Sequence, residues 1–280
     1  MTAAGIPGPA APAGPLPPAD RAAAGFADAV RCEWVKLRTV RSTYWSLLAA
    51  ALLVVGLGAV FSLAYASRYS SLSATAKAAF DPTLTSLSGV WFGQLAIGVL
   101  AILAITSEYS TGTIRPSLAA VPHRSRLLAA KATVFTGVTL AVSEAASFAA
   151  FLAGQQILVG RAAHAAISTP GVLRAVAGGG LYLAAVALFS IAIGTLIRHT
   201  AGAITAMAAI AFVLPTALVA LPASWQEPVA RWLPTNAGSA LWSVRPVAHM
   251  FSAWTGFGIF LAYTTVLLAG AFALFARRDT

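Results

Sequence analysis

The stretch WSLLAAALLVVGLGAVFSLAYA, from Trp45 to Ala66, holds no charged residue and decides the class of the fold. A bilayer core about 30 Å thick needs roughly 20 consecutive apolar residues in a helix to cross it. This segment meets that length, and five more follow: about 90–106, 132–159, 175–197, 201–221 and 254–276. Hydrophobic residues make up 59% of the chain and charged ones 9%. Soluble domains run near 45–50% apolar and about 25% charged, so a soluble globular protein is excluded. The expected fold is an all-α membrane protein of six transmembrane helices. Pro215 predicts a kink in the fifth, the triple glycine Gly178–Gly180 opens the fourth, and Trp45, Trp91 and Trp254 fall at span ends as interfacial aromatics do.

Eighteen Lys and Arg against eight Asp and Glu give a formal charge of +10. The cations fall in short patches between uncharged spans, unlike the single basic face of a nucleic-acid binder. Counted by side, twelve cluster at Arg21 to Arg41, Arg115 to Lys131, Arg198 and Arg277-Arg278. Six remain on the other side: Arg68, Lys77, Arg161, Arg174, Arg231 and Arg245. The positive-inside rule then predicts both termini in the cytoplasm of a multi-pass cell-membrane protein. Cys32, the single cysteine, permits no intramolecular disulfide. The scattered His123, His164, His199 and His249 predict no metal site, and no nucleophile and base occur together as an enzyme would need.

Outside the spans, residues 1–25 are rich in Pro and Ala and read as a disordered tail without the basic and apolar regions of a signal peptide. Over 26–43, Phe26, Val30, Trp34, Leu37 and Val40 share one arc of a helix, interrupted by Glu33 and Arg41. An amphipathic helix in the cytoplasmic interface is expected there, ahead of the transmembrane domain at 44–280. Pro222 to Phe251 is too apolar for a solvated loop and is expected to dip into the outer leaflet as non-helical backbone.

Between the second and third spans, Pro116 suits a first helical turn and Pro122 stops one, framing a short helix, with Ser125 placed to cap the next. In the third span Glu144 is an intramembrane carboxylate. It is a candidate for a substrate path or, with Ser143 and Ser147, for helix packing along the small, hydroxyl-rich arc of Thr136, Thr139, Ser143, Ser147, Ala150 and Gly154.

Three stretches carry a resemblance. Glu108-Tyr-Ser-Thr-Gly-Thr-Ile-Arg115, continuing through Leu118-Ala-Ala-Val-Pro122 to Arg124 and then Leu128-Ala-Ala-Lys131, resembles the loop between the second and third spans of bacterial ABC type-2 permeases. Glu33-Trp-Val-Lys-Leu-Arg38 is similar to the membrane-entry helix of that family, and Leu233-Pro-Thr-Asn-Ala-Gly-Ser-Ala240 to a motif in its large external loop. The resemblance implies a transporter permease subunit, an exporter half that pairs with itself or a similar permease and sits on a separate cytoplasmic ATPase. That partner would hold ATP and Mg, and this chain no cofactor. Consistent with this, the sequence has no G-x-x-x-x-G-K-[ST] phosphate cradle. The resemblance further implies an ATPase-coupling loop over Glu108, Tyr109, Gly112, Thr113, Arg115, Pro116, Pro122, Arg124 and Arg126. A reading of another class is a membrane interaction or immunity protein that transports nothing.

Overall fold

The computed structural model describes residues 25–112, 124–245 and 249–277. The Pro/Ala-rich tail and the proline-framed segment at 113–123 lie outside these residues. All described regular structure is helical. Six helical segments are long and apolar enough to cross a membrane: Arg41–Ser71, Pro82–Tyr109, Arg124–Leu158, Val172–Ile197, Thr200–Ala220 and Ala253–Arg277.

The chain enters through α1 (Phe26–Thr39). Asp28, in the first turn, accepts from the Gly25 N–H at 2.9 Å, satisfying a donor that the helix start leaves free. The expected helix to residue 43 stops at Thr39. Val40 is extended (φ −85°, ψ 97°) and makes an elbow into α2 (Arg41–Arg68). Leu47, Ala50, Val54, Gly58, Ser62 and Ala66 line the buried stripe of α2 at three- and four-residue steps. Trp45, Leu52 and Val60 on its other sides are exposed, as suits lipid.

Short helices α3 (Ala74–Ala79) and α4 (Pro82–Ser86) lead to α5 (Gly89–Ser110). Asp81 caps α4 by accepting from the N–H groups of Thr83 and Leu84 at 2.9 and 3.0 Å. The third span, α6 (Arg124–Leu158), starts eight residues before the expected apolar boundary, and Ser125 lies within it rather than capping it. Its hydroxyl-rich arc faces inward: Thr139, Ser143, Ser147 and Ala150 are buried.

The helix α7 (Val172–Ile197) is the centre of the bundle, packed on α5, α6 and the last span α12 (Ala253–Arg277). The triple glycine is what lets it sit there. A Cβ at Gly178 would meet Leu241, one at Gly179 the Ser147 side chain, and one at Gly180 the Glu144 side chain and backbone. Tyr182, fully buried, donates to Gln94 on α5 at 2.6 Å.

The fifth span, Thr200–Ala220, is continuous but changes helix type just before Pro215. It runs as α8 (Thr200–Ala208), a π-helical turn at Ala209–Val213 and α9 (Leu214–Ala217). The wider turn lets the Leu214 N–H reach the Ala209 carbonyl and gives room to the proline ring, which would otherwise crowd Ala211.

The segment expected to be non-helical instead forms α10 (Ala223–Ala230) and α11 (Pro234–Ser239), then a single 3-10 turn, Ala240–Trp242. Leu241 and Trp242 are fully buried against α7 and α12, so the end of the segment is core, whereas Trp225 and Trp232 before it are exposed. Trp91, expected at an interface, stacks edge-on against Trp242 with ring centres 5.5 Å apart.

Candidate functional site

The apolar arc of α1 faces the rest of the protein only in part. Val30 and Leu37 pack against the core and Ala29 and Glu33 are buried, whereas Phe26 and Trp34 are 46% and 44% exposed. The residue that interrupts the arc thus helps to dock the helix.

Glu33 enters a quartet of two carboxylates and two ammonium groups. Lys131 of α6 donates to Glu33 Oε2 at 2.6 Å and to Glu108 Oε1, from the end of α5, at 2.8 Å. Lys36 closes the ring, 2.8 Å from Glu33 Oε1 and 3.3 Å from Glu108 Oε1. Glu33, Lys131 and Glu108 are 4%, 9% and 12% exposed and Lys36 is 38% exposed. Charges taken so far from water persist only when paired and hydrogen-bonded, and here the formal charges cancel. The site thus ties the entry helix to the helices on both sides of the 113–123 segment. A cavity of about 530 Å³ opens beside it, walled by Leu37, Val40, Leu100, Leu103 and Phe135.

Burial pushes the Glu33 carboxyl up, yet Lys131 and Lys36 together outweigh it and hold the group below its ordinary 4.5. Burial likewise pushes the Lys36 ammonium down, and Glu33 and Glu108 outweigh it, so this group is raised above 10.5. The depressed Glu33 contributes stability that is present above pH 4.5 and is lost as the pH falls through its folded value. The raised Lys36 contributes stability that is present below pH 10.5 and is lost as the pH rises through its own. Thermal unfolding of the purified protein in detergent is expected to show a plateau between these limits and a fall below pH 4.5, and Glu33→Gln is expected to flatten the acid limb.

Of the residues in the expected coupling loop, Glu108 joins the quartet and Tyr109 lies beside it. The Arg198 guanidinium, at the end of α7, stacks 5.2 Å from the Tyr109 ring centre. Arg198 takes the left-handed conformation (φ 59°) that turns the chain into α8, where Thr200 and Thr106 share a hydrogen bond of 2.9 Å. Gly112 ends α5 at φ 72°, a conformation suited to glycine after a helix. Arg124 and Arg126 are half-buried at the start of α6. Thr113, Arg115, Pro116 and Pro122 lie outside the described residues.

The intramembrane candidates sit elsewhere, where α6 crosses α7. Ser147 donates to the Val176 carbonyl at 2.6 Å and Ser143 is buried beside it. Glu144 is half-buried across Gly180, with its carboxyl at the Leu181 backbone N–H.

Sequence reasoning counted Lys36 and Lys131 as topology charges and Glu33 as a flaw in an amphipathic arc. The available signal was that Glu33 and Lys36 stand three residues apart, at ion-pair spacing on a helix, and that all four quartet residues lie in the stretches carrying the resemblance.

No curated protein matches the chain. The family model described as ABC-2 family transporter protein matches residues 29–217, a region that contains the whole quartet, four of the six spans and most of the fifth. With two thirds of its length so matched, the chain belongs to the ABC-2 family of transporter proteins, as a multi-pass permease component of the membrane.

Proposed function

We propose that this chain is the membrane half of an ATP-driven exporter. It has both termini in the cytoplasm, pairs with itself or a similar six-span subunit, and is seated on a separate ATPase that holds ATP and Mg. ABC-2 permeases work with ATPase subunits, and this chain carries no phosphate cradle of its own. In this reading, ATP binding draws the ATPases together, the 108–131 segment follows, and the cavity between the subunits alternates its access.

The observation that supports it is the quartet. A push on the 113–123 segment reaches α5 through Glu108 and α6 through Lys131, and Glu33 and Lys36 bind both to α1. The three helices are thereby held as one unit rather than as separate levers. Arg115, Arg124 and Arg126 supply cations for contacts to the ATPase, and Glu144 acts as a packing group between α6 and α7.

The test is co-purification with the ATPase encoded beside this chain, comparing ATP hydrolysis with and without the permease. A stable complex with an altered hydrolysis rate is expected. Arg115→Ala is expected to remove the permease effect on hydrolysis while leaving the melting temperature unchanged, and Glu144→Gln to leave both unchanged. Absence of a complex, with hydrolysis indifferent to the permease, would overturn the reading in favour of a membrane interaction or immunity protein.

A further inference from the structure

At the end of the bundle opposite the quartet, a cavity of about 340 Å³ lies between the start of α7, the 3-10 turn after α11 and the start of α12. Two arginines line it, and both donate to backbone carbonyls. Arg174 donates to the Leu241 and Ser243 carbonyls at 2.6 and 2.9 Å, and Arg245 donates to the Ala78 carbonyl at 2.7 Å. Carbonyl oxygens satisfy N–H geometry and leave the formal charge uncompensated.

A helix N-terminus adds to this charge. Arg174 lies in the first turn of α7, and Ser252 and Ala253, at the start of α12, also line the cavity. The start of α12, a partial positive charge with backbone N–H groups to spare, thus lies on the same cavity as the half-buried Arg174 and the exposed Arg245. Among the described residues, no carboxylate lines the space. Asp81 is engaged as the cap of α4, and Glu227 lies 3.4 Å from His249 in an exposed pair. The arrangement calls for an anion.

The surroundings indicate what carries that anion. Phe251 lines the cavity and packs edge-on against Trp232 at 4.9 Å, with the Arg231 guanidinium over both rings. Trp232 and Trp254, which follows the cavity wall at Ala253, are exposed. Exposed tryptophans beside arginines mark the depth of lipid headgroups. The walls also mix serine hydroxyls and Asn236 with apolar side chains, which suits a phosphate diester joined to an acyl glycerol.

We propose that this cavity is a phosphate site for the headgroup of one membrane phospholipid, held by Arg174, Arg245 and the start of α12. The inference is independent of the transport reading and survives its failure.

The protein purified in detergent is titrated with short-chain phosphatidylglycerol, the matching diacylglycerol and inorganic phosphate, with thermal unfolding and native mass spectrometry as readouts. The expected result is a saturable stabilisation and one bound molecule with phosphatidylglycerol alone. Arg245→Gln is expected to weaken that binding roughly tenfold, the worth of a charge-assisted contact, with lipid-free melting unchanged. Arg174→Lys, which keeps the charge and loses the paired carbonyl bonds, serves as the second variant and is expected to weaken it as well. An equal shift from inorganic phosphate would overturn the lipid assignment, equal binding of the diacylglycerol would overturn the phosphate assignment, and binding unaffected by both variants would overturn the site.

Discussion

Lys131→Ala is expected to cost about 3–5 kcal/mol, because it leaves two buried carboxylates facing each other with Lys36 as their remaining cation. Glu33 is 4% exposed and its short contacts are to Lys131 and Lys36. Glu108 would keep only Lys36, at 3.3 Å. The replacement also opens space that α1 and α6 enclose. A drop in melting temperature of roughly ten degrees in detergent is expected, with poor recovery of folded protein. The double replacement Glu33→Gln with Lys131→Met separates charge from bulk. It removes one charge of each sign and leaves Lys36 and Glu108 as a pair, so its cost is expected to fall below the sum of the two single costs by 0.5 kcal/mol or more, on the order of coupling between contacting residues. Strict additivity would show that the four groups do not act as a unit, and the mechanical argument for α1 would fail with it.

The spans were legible because a bilayer imposes a length and a composition on any helix that crosses it. Val172–Ile197 and Ala253–Arg277 match their expected bounds to within three residues. The boundary error at α6 has a physical source. Arg124, Arg126 and Lys131 belong to the helix and not to the apolar run, and hydropathy marks where a helix is apolar, not where it begins. The role of Glu33 in α1 was illegible for a different reason. Periodicity places Val30 and Leu37 on the buried side, where they pack on the core, and can count a carboxylate among them only as an interruption. What buries Glu33 is a lysine 98 residues away, a pairing that no local window contains. The opposite end posed a third problem. The apolar residues of 222–251 are of two kinds, Leu241 and Trp242 being core and Trp225 and Trp232 exposed, and only the packing on α7 tells them apart.

Two glycines on neighbouring helices should answer the same substitution in opposite ways. Gly56, on the exposed side of α2, has nothing within 4 Å of where a Cβ would stand, whereas a Cβ at Gly89 would fall on the backbone of Val54, its carbonyl included. Gly56→Ala removes a poor helix former without meeting any atom, and its effect is expected to lie between zero and about 1 kcal/mol of stabilisation. Gly89→Ala cannot be relieved by a rotamer change, since the obstacle is backbone on a 28-residue helix held along its whole buried stripe. The helices α2 and α5 must part at that end, at an expected cost of about 1–3 kcal/mol or more. Paired melting curves in detergent measure both. The collision is also a probe of how far strain travels. Gly89 and Glu108 stand at opposite ends of α5, about 28 Å apart at 1.5 Å per residue. The quartet fastens the far end of that helix to α1 and α6, so the acid limb of the pH profile set by Glu33 is expected to keep its midpoint in Gly89→Ala while overall stability falls. A midpoint that moved with the substitution would show that α5 transmits displacement along its length, and that the quartet yields to α5 rather than holding it.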